Sequence, residues 1–186
     1  MPQSKILIDT NTYIRLAKSI HPLLDVIFGD DEYCLYVLKE LDVEFSSNRR
    51  LQTSFSWVDE QIYVENRSKK LTLSRKDKRS IEITVDFIKQ HKLDNRLSVS
   101  NVDILCLAHA LVLGIPVVTD DTDMLEVADT FGIKRLKTLN LLHLMMQCGH
   151  VDLKKIRQIV SYWEYISDKP VNFRQEYIEI FGEKPP

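Results

Sequence analysis

The sequence predicts an α/β fold, a central and mostly parallel β-sheet flanked by helices, with a helical extension at the C-terminus. Three observations carry this. Short apolar runs alternate with helical patterns along most of the chain, as βαβ connectivity requires. Apolar runs end in acids: Lys5-Ile6-Leu7-Ile8 runs into Asp9-Thr10-Asn11, and Val117-Val118-Thr119 into Asp120-Asp121-Thr122-Asp123. Beyond Gly149 only helical patterns remain, which puts a boundary near Gly149-His150 and divides the chain into residues 1–149 and an extension, 150–186.

Taken in order, Ile6-Leu7-Ile8 is a buried strand, and a helical pattern runs from Thr12 to about Ala17. A second helical pattern follows Pro22 (Leu23, Leu24, Val26, Ile27, Phe28) and stops at Gly29. Tyr33 to Val37 reads as a strand. Leu38 to about Leu51 reads as one helix, with Leu38, Leu41, Val43 and Phe45 roughly on one face. Phe55 to Val64 is ambiguous, with a short strand at Ile62-Tyr63-Val64 one option. Lys76 to His91 is a charged amphipathic helix turning Ile81, Val85 and Ile88 inward. The clearest helix starts at Ser100, has Asp103 three residues later as a capping box demands, and stops at Gly114. Ile115 to Thr119 is a strand, Thr122 to Phe131 a helix, Arg135 to Leu139 a short strand and Leu141 to Cys148 a helix. The extension holds helices at Leu153–Ile166 and Phe173–Phe181.

Composition narrows the function classes. The 186 residues are 44% hydrophobic, enough for a real core, and the net charge of −2 names no polyanionic partner globally, which leaves a local basic face open. No stretch approaches the ~18 consecutive apolar residues of a membrane span. The N-terminus lacks a signal-peptide pattern. Cys34, Cys106 and Cys148 are odd in number, far apart and without a CxxC pair, as expected of reduced thiols in a cytoplasmic protein.

The chemistry lies in the acids. In an open parallel sheet all strand C-termini share one edge, where ligands bind. Asp9 directly follows a buried strand, though it would also cap the next helix. Asp103 has an equal explanation as the third-position acid of the Ser100 capping box. Asp120, Asp121 and Asp123 put three negative charges into four residues, more than capping needs. Glu40, on its own, is no different from a solvated helical glutamate, as are Asp42 and Glu44 beside it. Held together, such carboxylates call for a cation, and oxygen ligands of this kind suit Mg²⁺ or Mn²⁺.

The ordered set Ile6-Leu7-Ile8-Asp9-Thr10-Asn11, Val37-Leu38-Lys39-Glu40-Leu41, Val102-Asp103-Ile104-Leu105-Cys106-Leu107-Ala108 and Val117-Val118-Thr119-Asp120-Asp121-Thr122-Asp123-Met124 resembles the PIN-domain nucleases over roughly residues 5–145. That resemblance implies a three-layer α/β/α fold and a metal-dependent ribonuclease, akin to the toxins of VapBC-type toxin–antitoxin pairs and to RNA-processing endonucleases. Matched residue by residue, it implies an acidic quartet of Asp9, Glu40, Asp103 and Asp121, with Asp123 a further acid. Asn11 and Thr119 match supporting polar positions, and Asp120 falls on a variable one. On this reading Asp9, Asp103 and Asp121 bind Mg²⁺ or Mn²⁺, directly or through water, while Glu40 and Asp123 complete the shell or orient water. RNA is the implied substrate, and for a toxin an antitoxin is the implied partner. The chain is longer than a compact toxin, with a long section between Glu40 and Asp103 and the extension after Gly149.

Residues 67–79 are strongly basic, and Lys69, Lys70, Arg75, Lys76 and Arg79 are expected either to be solvated or to track RNA phosphates. In the extension, Val160, Trp163, Ile166, Phe173, Tyr177, Ile180 and Phe181 form apolar faces that pack on the core, on a partner protein or on a second copy. The five histidines are scattered and read as structural or surface residues. Two other readings compete. A phosphatase-like hydrolase using the Asp9 edge would want a second Asp where Asn11 stands. A non-catalytic scaffold would bind RNA or protein without cutting.

Overall fold

Alternation along the first strand divides the interior in two. In β1 (Ser4–Ile8), Ile6 and Ile8 face one apolar cluster and Leu7 faces the other. β4 (Val117–Val118) repeats the division, with Val118 in the first cluster and Val117 in the second. A sheet buried on both faces is a three-layer α/β/α arrangement. The computed structural model describes residues 3–186.

The five-stranded sheet has the order β2-β3-β1-β4-β5. β3 (Tyr33–Tyr36) and β4 lie parallel to β1 on either side, and β5 (Arg135–Leu136) is parallel to β4. β2 (Ile27–Phe28) is the one antiparallel strand. The chain passes from β1 to one neighbour and later returns to the other side, so the connections diverge at β1. A crevice at the carboxyl end of β1 is the ligand position that such a switch point creates.

One face carries α1 (Thr10–Ala17), α2 (Glu40–Ser47), α8 (Thr138–Gln147), α9 (Leu153–Tyr165) and α10 (Phe173–Phe181). The other carries α5 (Arg75–Asn95), α6 (Asn101–Leu113) and α7 (Thr122–Thr130). Val160, Trp163, Phe173 and Tyr177 of the last two helices are buried in the same cluster as Ile6 and Ile8. Ile180 and Phe181 pack at its margin. Trp163 Nε1 also donates to the Arg15 carbonyl at 3.0 Å. Among the described residues no helix is long and apolar enough to cross a membrane.

Four local expectations need correcting. The run after Pro22 is not a helix: Asp25 takes φ 61°, and the Leu24 backbone is satisfied at both N–H and C=O by the Asn66 side chain, 3.2 and 2.8 Å away. Gly29 then serves the β2–β3 turn with φ +70°, where an added Cβ would stand 2.6 Å from Cys148 Sγ. Residues 38–51 form two helices, because Asn48 leaves the helical region and caps a new start, α3 (Arg49–Ser54), by accepting from the N–H groups of Arg50 and Leu51. A 3₁₀ turn (Ser56–Asp59) follows. Ile62-Tyr63-Val64 then lies in α4 (Gln61–Asn66), which buries Tyr63 alone of the three against Trp57. The strand read at 135–139 is cut to two residues because Asp120 captures Thr138 at the start of α8, accepting from its N–H at 3.1 Å and its hydroxyl at 2.5 Å.

Candidate metal centre at the carboxyl edge

The register Leu7↔Val117, Ile8↔Val118 continues into a bond from the Asp9 N–H to the Val118 carbonyl at 3.1 Å. Asp9 and Thr119 are thereby side by side as their strands end. Asp9 is the N-cap of α1, its Oδ1 accepting from the Thr12 N–H at 2.6 Å, while its Oδ2 accepts from Thr119 Oγ1 at 2.6 Å. The residue is only 4% exposed. Burial raises its carboxyl from 3.8 to about 6, against the lowering effect of the Thr119 and Thr12 bonds, and the negative charge of Asp120 adds to the rise.

Two further acids converge on it. Asp103 opens α6 within a complete capping box, accepting from the Ser100 N–H at 2.7 Å while Ser100 Oγ accepts from the Asp103 N–H at 3.1 Å. Glu44 on α2 accepts from Thr10 Oγ1 at 2.5 Å. Burial raises the Glu44 carboxyl, the Thr10 bond lowers it, and the charge of Asp103 raises it again. Cys106, buried one turn into α6, has its thiol pushed well up by burial and then by Asp9, Asp103 and Glu44 together. The three acids, at the end of β1, on α2 and on α6, thus all lie within electrostatic reach of Cys106. A cleft of about 10 Å³ opens there between Asp9, Thr10, Leu38, Leu41, Asp103 and Cys106, room for about one water.

Among the described residues, Asp9, Glu44, Asp103, Asp121 and Asp123 form no ion pair with Lys, Arg or His. Asp120, by contrast, is tied up, pairing with Arg15 at 2.8 Å besides holding Thr138. Also among the described residues, no three His, Cys, Asp or Glu side chains are grouped so as to hold a metal ion. A closed all-protein cage of the zinc type is therefore not laid out here. Mg²⁺ asks for less: one or two carboxylates, with waters and substrate phosphate completing its shell. Asp9 and Asp103, two oxygen-donor groups lining one water-sized cleft, fit that open kind of site.

The remaining predicted residues fall around this spot. Thr119 is buried, and besides donating to Asp9 its Oγ1 accepts from the Asp121 N–H at 3.1 Å. Asp121 is the exposed N-cap of α7, accepting from the Met124 N–H at 2.8 Å. Asp123 Oδ2 accepts from the Ser98 N–H at 2.6 Å, tying α7 to the segment that leads into α6. Asn11 is exposed and lines a different cleft, with Arg50, Ser54 and Asp168. Glu40 lies at the start of α2, paired with Lys39 at 3.7 Å, in a second cleft that shares Val37 and Leu38 with the acidic one. Glu44, which the sequence reading set aside, is the glutamate of α2 that faces Thr10. Its signal was faint: Leu41 and Phe45 are the buried positions of the helix, and Glu40 and Glu44 precede them one turn apart.

The basic segment is not uniform. Arg67 is buried, donating to Asp42 at 2.7 Å and to the Val58 carbonyl at 2.6 Å, and Lys69 pairs with Asp25. Lys70, Arg75, Lys76 and Arg79 are exposed. His109, buried in α6, has Nδ1 2.7 Å from the Leu105 carbonyl, and burial lowers its pKa.

Compared with known proteins, the sequence matches no family model and no curated protein. A chain in the crystal structure of FitAcB from Neisseria gonorrhoeae aligns with 72% of this chain and 98% of its own, at 16% identity and a TM-score of 0.46.

Proposed function

We propose that the chain is a metal-dependent endoribonuclease whose reaction centre is the cleft lined by Asp9 and Asp103, with Glu44 held beside it by Thr10. What supports the reading is one observation: Asp9 and Asp103, from separate elements, line one water-sized cleft, Glu44 is held by Thr10 of the same lining, and none of the three has a basic partner among the described residues. An arrangement of like charges is stabilised by a cation that the chain itself does not provide there. The ordered resemblance in sequence supplies the ribonuclease reading and, with it, the toxin role and an antitoxin partner.

In this reading Asp9 and Asp103 would hold Mg²⁺ or Mn²⁺, with Asp121, the N-cap of α7, as a further ligand, direct or through water. The ion supplies Lewis acidity and a more acidic water. Thr12 and Thr119 fix the plane of the Asp9 carboxylate, and the Ser100 box fixes Asp103. Glu44, held by Thr10 and made more basic than an ordinary glutamate by burial, accepts the proton of the attacking water. Asp123 holds the approach to α6 through Ser98. Glu40 lies outside the acidic cleft and has no part in the proton transfer.

The test is cleavage of labelled single-stranded and structured RNAs with Mn²⁺, Mg²⁺ or EDTA. Cutting is expected only with metal, and Asp9→Asn or Asp103→Asn should lower it by more than ~100-fold. Full activity in either variant would remove the centre proposed here. Folded protein that neither cuts nor binds metal would leave the scaffold reading.

A further inference from the structure

Beside the acidic cleft lies a second cleft, of about 280 Å³, at the carboxyl end of β3. The two share Val37 and Leu38 in their walls. Its character is opposite to that of its neighbour. Lys39, Lys70 and Lys78 rim it, Leu71 and Leu73 form an apolar wall, and His109 lies at its inner end. Lys70 and Lys78 form no ion pair among the described residues; Lys39 has only Glu40, at 3.7 Å. Lys78 is placed by α5, three residues before buried Ile81, on the flank of the face that packs inward. Leu71 and Leu73 pack at the margin of the core, so the wall is anchored. A His109 ring nitrogen that close to a carbonyl carries the proton, leaving Nε2 of the neutral ring as an acceptor.

We propose that this cleft seats one nucleotide of a single RNA strand, its phosphate on Lys70 and Lys78 and its base against Leu71 and Leu73, next to the bond presented to Asp9 and Asp103. The proposal rests on the ribonuclease reading for the identity of the ligand. The cleft meets the requirements of single-strand binding: cations that follow a backbone, an apolar surface for a base, and an acceptor at the inner end. Its size admits one residue of a strand, being just below the ~300 Å³ at which small-molecule pockets begin. Its position explains how an edge of unpartnered carboxylates attracts a polyanion. The strand is held by lysines on the β3 side, and the acids meet only the phosphate adjacent to the seated one.

The experiment measures binding of a fluorescently labelled 12-nucleotide single-stranded RNA by anisotropy in EDTA, where a metal-dependent enzyme does not cut. Lys70→Gln/Lys78→Gln is compared with wild type and with the equal-charge control Lys154→Gln/Lys155→Gln on α9. Lys70, Lys78 and Lys154 are exposed and Lys155 is half-buried, and thermal unfolding checks that each variant is folded. The cleft variant is expected to bind about tenfold more weakly, with a salt dependence shallower by about 0.7 in log–log slope, the loss of one single-strand phosphate contact. The α9 control should bind as wild type does. Equal weakening by the α9 control, or wild-type affinity in the cleft variant, overturns the proposal while leaving cleavage at Asp9 untouched. Selective weakening in a protein that never cuts supports the nucleotide seat and sinks the ribonuclease reading instead.

Discussion

At the residue scale, Asp9 carries a cost that a bound cation would relieve. Its carboxyl titrates at about 6 in the folded chain and near 3.8 when exposed. The folded state therefore holds the proton more tightly, and stability falls as pH rises through the window from 3.8 to 6. Above it the deficit is about 3 kcal/mol. Asn is isosteric: its Oδ1 can keep the Thr12 N–H, and its amide can donate to Thr119 Oγ1. In EDTA at pH 7.5, Asp9→Asn is thus expected to melt about 6–10 °C above wild type. The gap should close by pH 4, and Mn²⁺ should raise the melting temperature of wild type alone. Equal melting temperatures at pH 7.5 would show that burial does not penalise this carboxylate. Thr119 makes the complementary case. Thr119→Val strands Asp9 Oδ2 and the Asp121 N–H, at about 1–3 kcal/mol for each buried group. Because the Thr119 bond lowers the Asp9 carboxyl, its removal should move the acid limb of cleavage to higher pH. A limb that stays put, or moves down, would detach Asp9 from the titration that governs the rate.

Among the elements, α2 sets which of its two glutamates meets Thr10. Glu40 and Glu44 are one turn apart, but Glu44 meets Thr10 and feels Asp103, whereas Glu40 points into the basic cleft beside Lys39. Glu44→Gln should lower cleavage by at least ~100-fold, in keeping with loss of a general base, and Glu40→Gln by less than tenfold. The reverse order, read from kcat on one RNA, would return the role to Glu40. This is also where sequence reading ran out. The strand-end acids were legible because a strand's exit fixes the position of the next residue: Asp9 and Thr119 follow directly from where β1 and β4 stop. The Ser100 box was legible because both of its bonds span three residues. Which of two helical glutamates meets Thr10 depends on the rotation of α2, set by Leu41 and Phe45 packing and by buried Arg67 holding Asp42. None of that is local. The Leu23–Phe28 run was misread for the same reason, since Asn66, 42 residues away, satisfies its backbone.

On the scale of the whole molecule, α9 and the turn beyond it are joined to the carboxyl edge of the sheet by a continuous chain of bonds. Trp163 of α9 is fully buried and donates to the Arg15 carbonyl. The Arg15 side chain bridges Asp168, just beyond α9, and Asp120, at the end of β4. Asp120 in turn holds the first residue of α8 and stands one position before Asp121. Removing the indole thus acts twice, by opening a cavity under Ile6 and Ile8 and by freeing the Arg15 backbone. Trp163→Ala is expected to cost about 3–5 kcal/mol, a large part of the ~5–15 kcal/mol that keeps a domain folded. For a chain of this length that lowers the melting temperature by about 10 °C. Trp163→Phe keeps most of the packing but loses the donor, so it separates the two effects. If the bond chain positions the edge, Trp163→Phe should lower cleavage more than its small loss of stability explains, measured at a temperature where it is fully folded. Wild-type kcat in Trp163→Phe would confine the role of α9 to packing, with Arg15 and Asp120 holding the β4 end unaided.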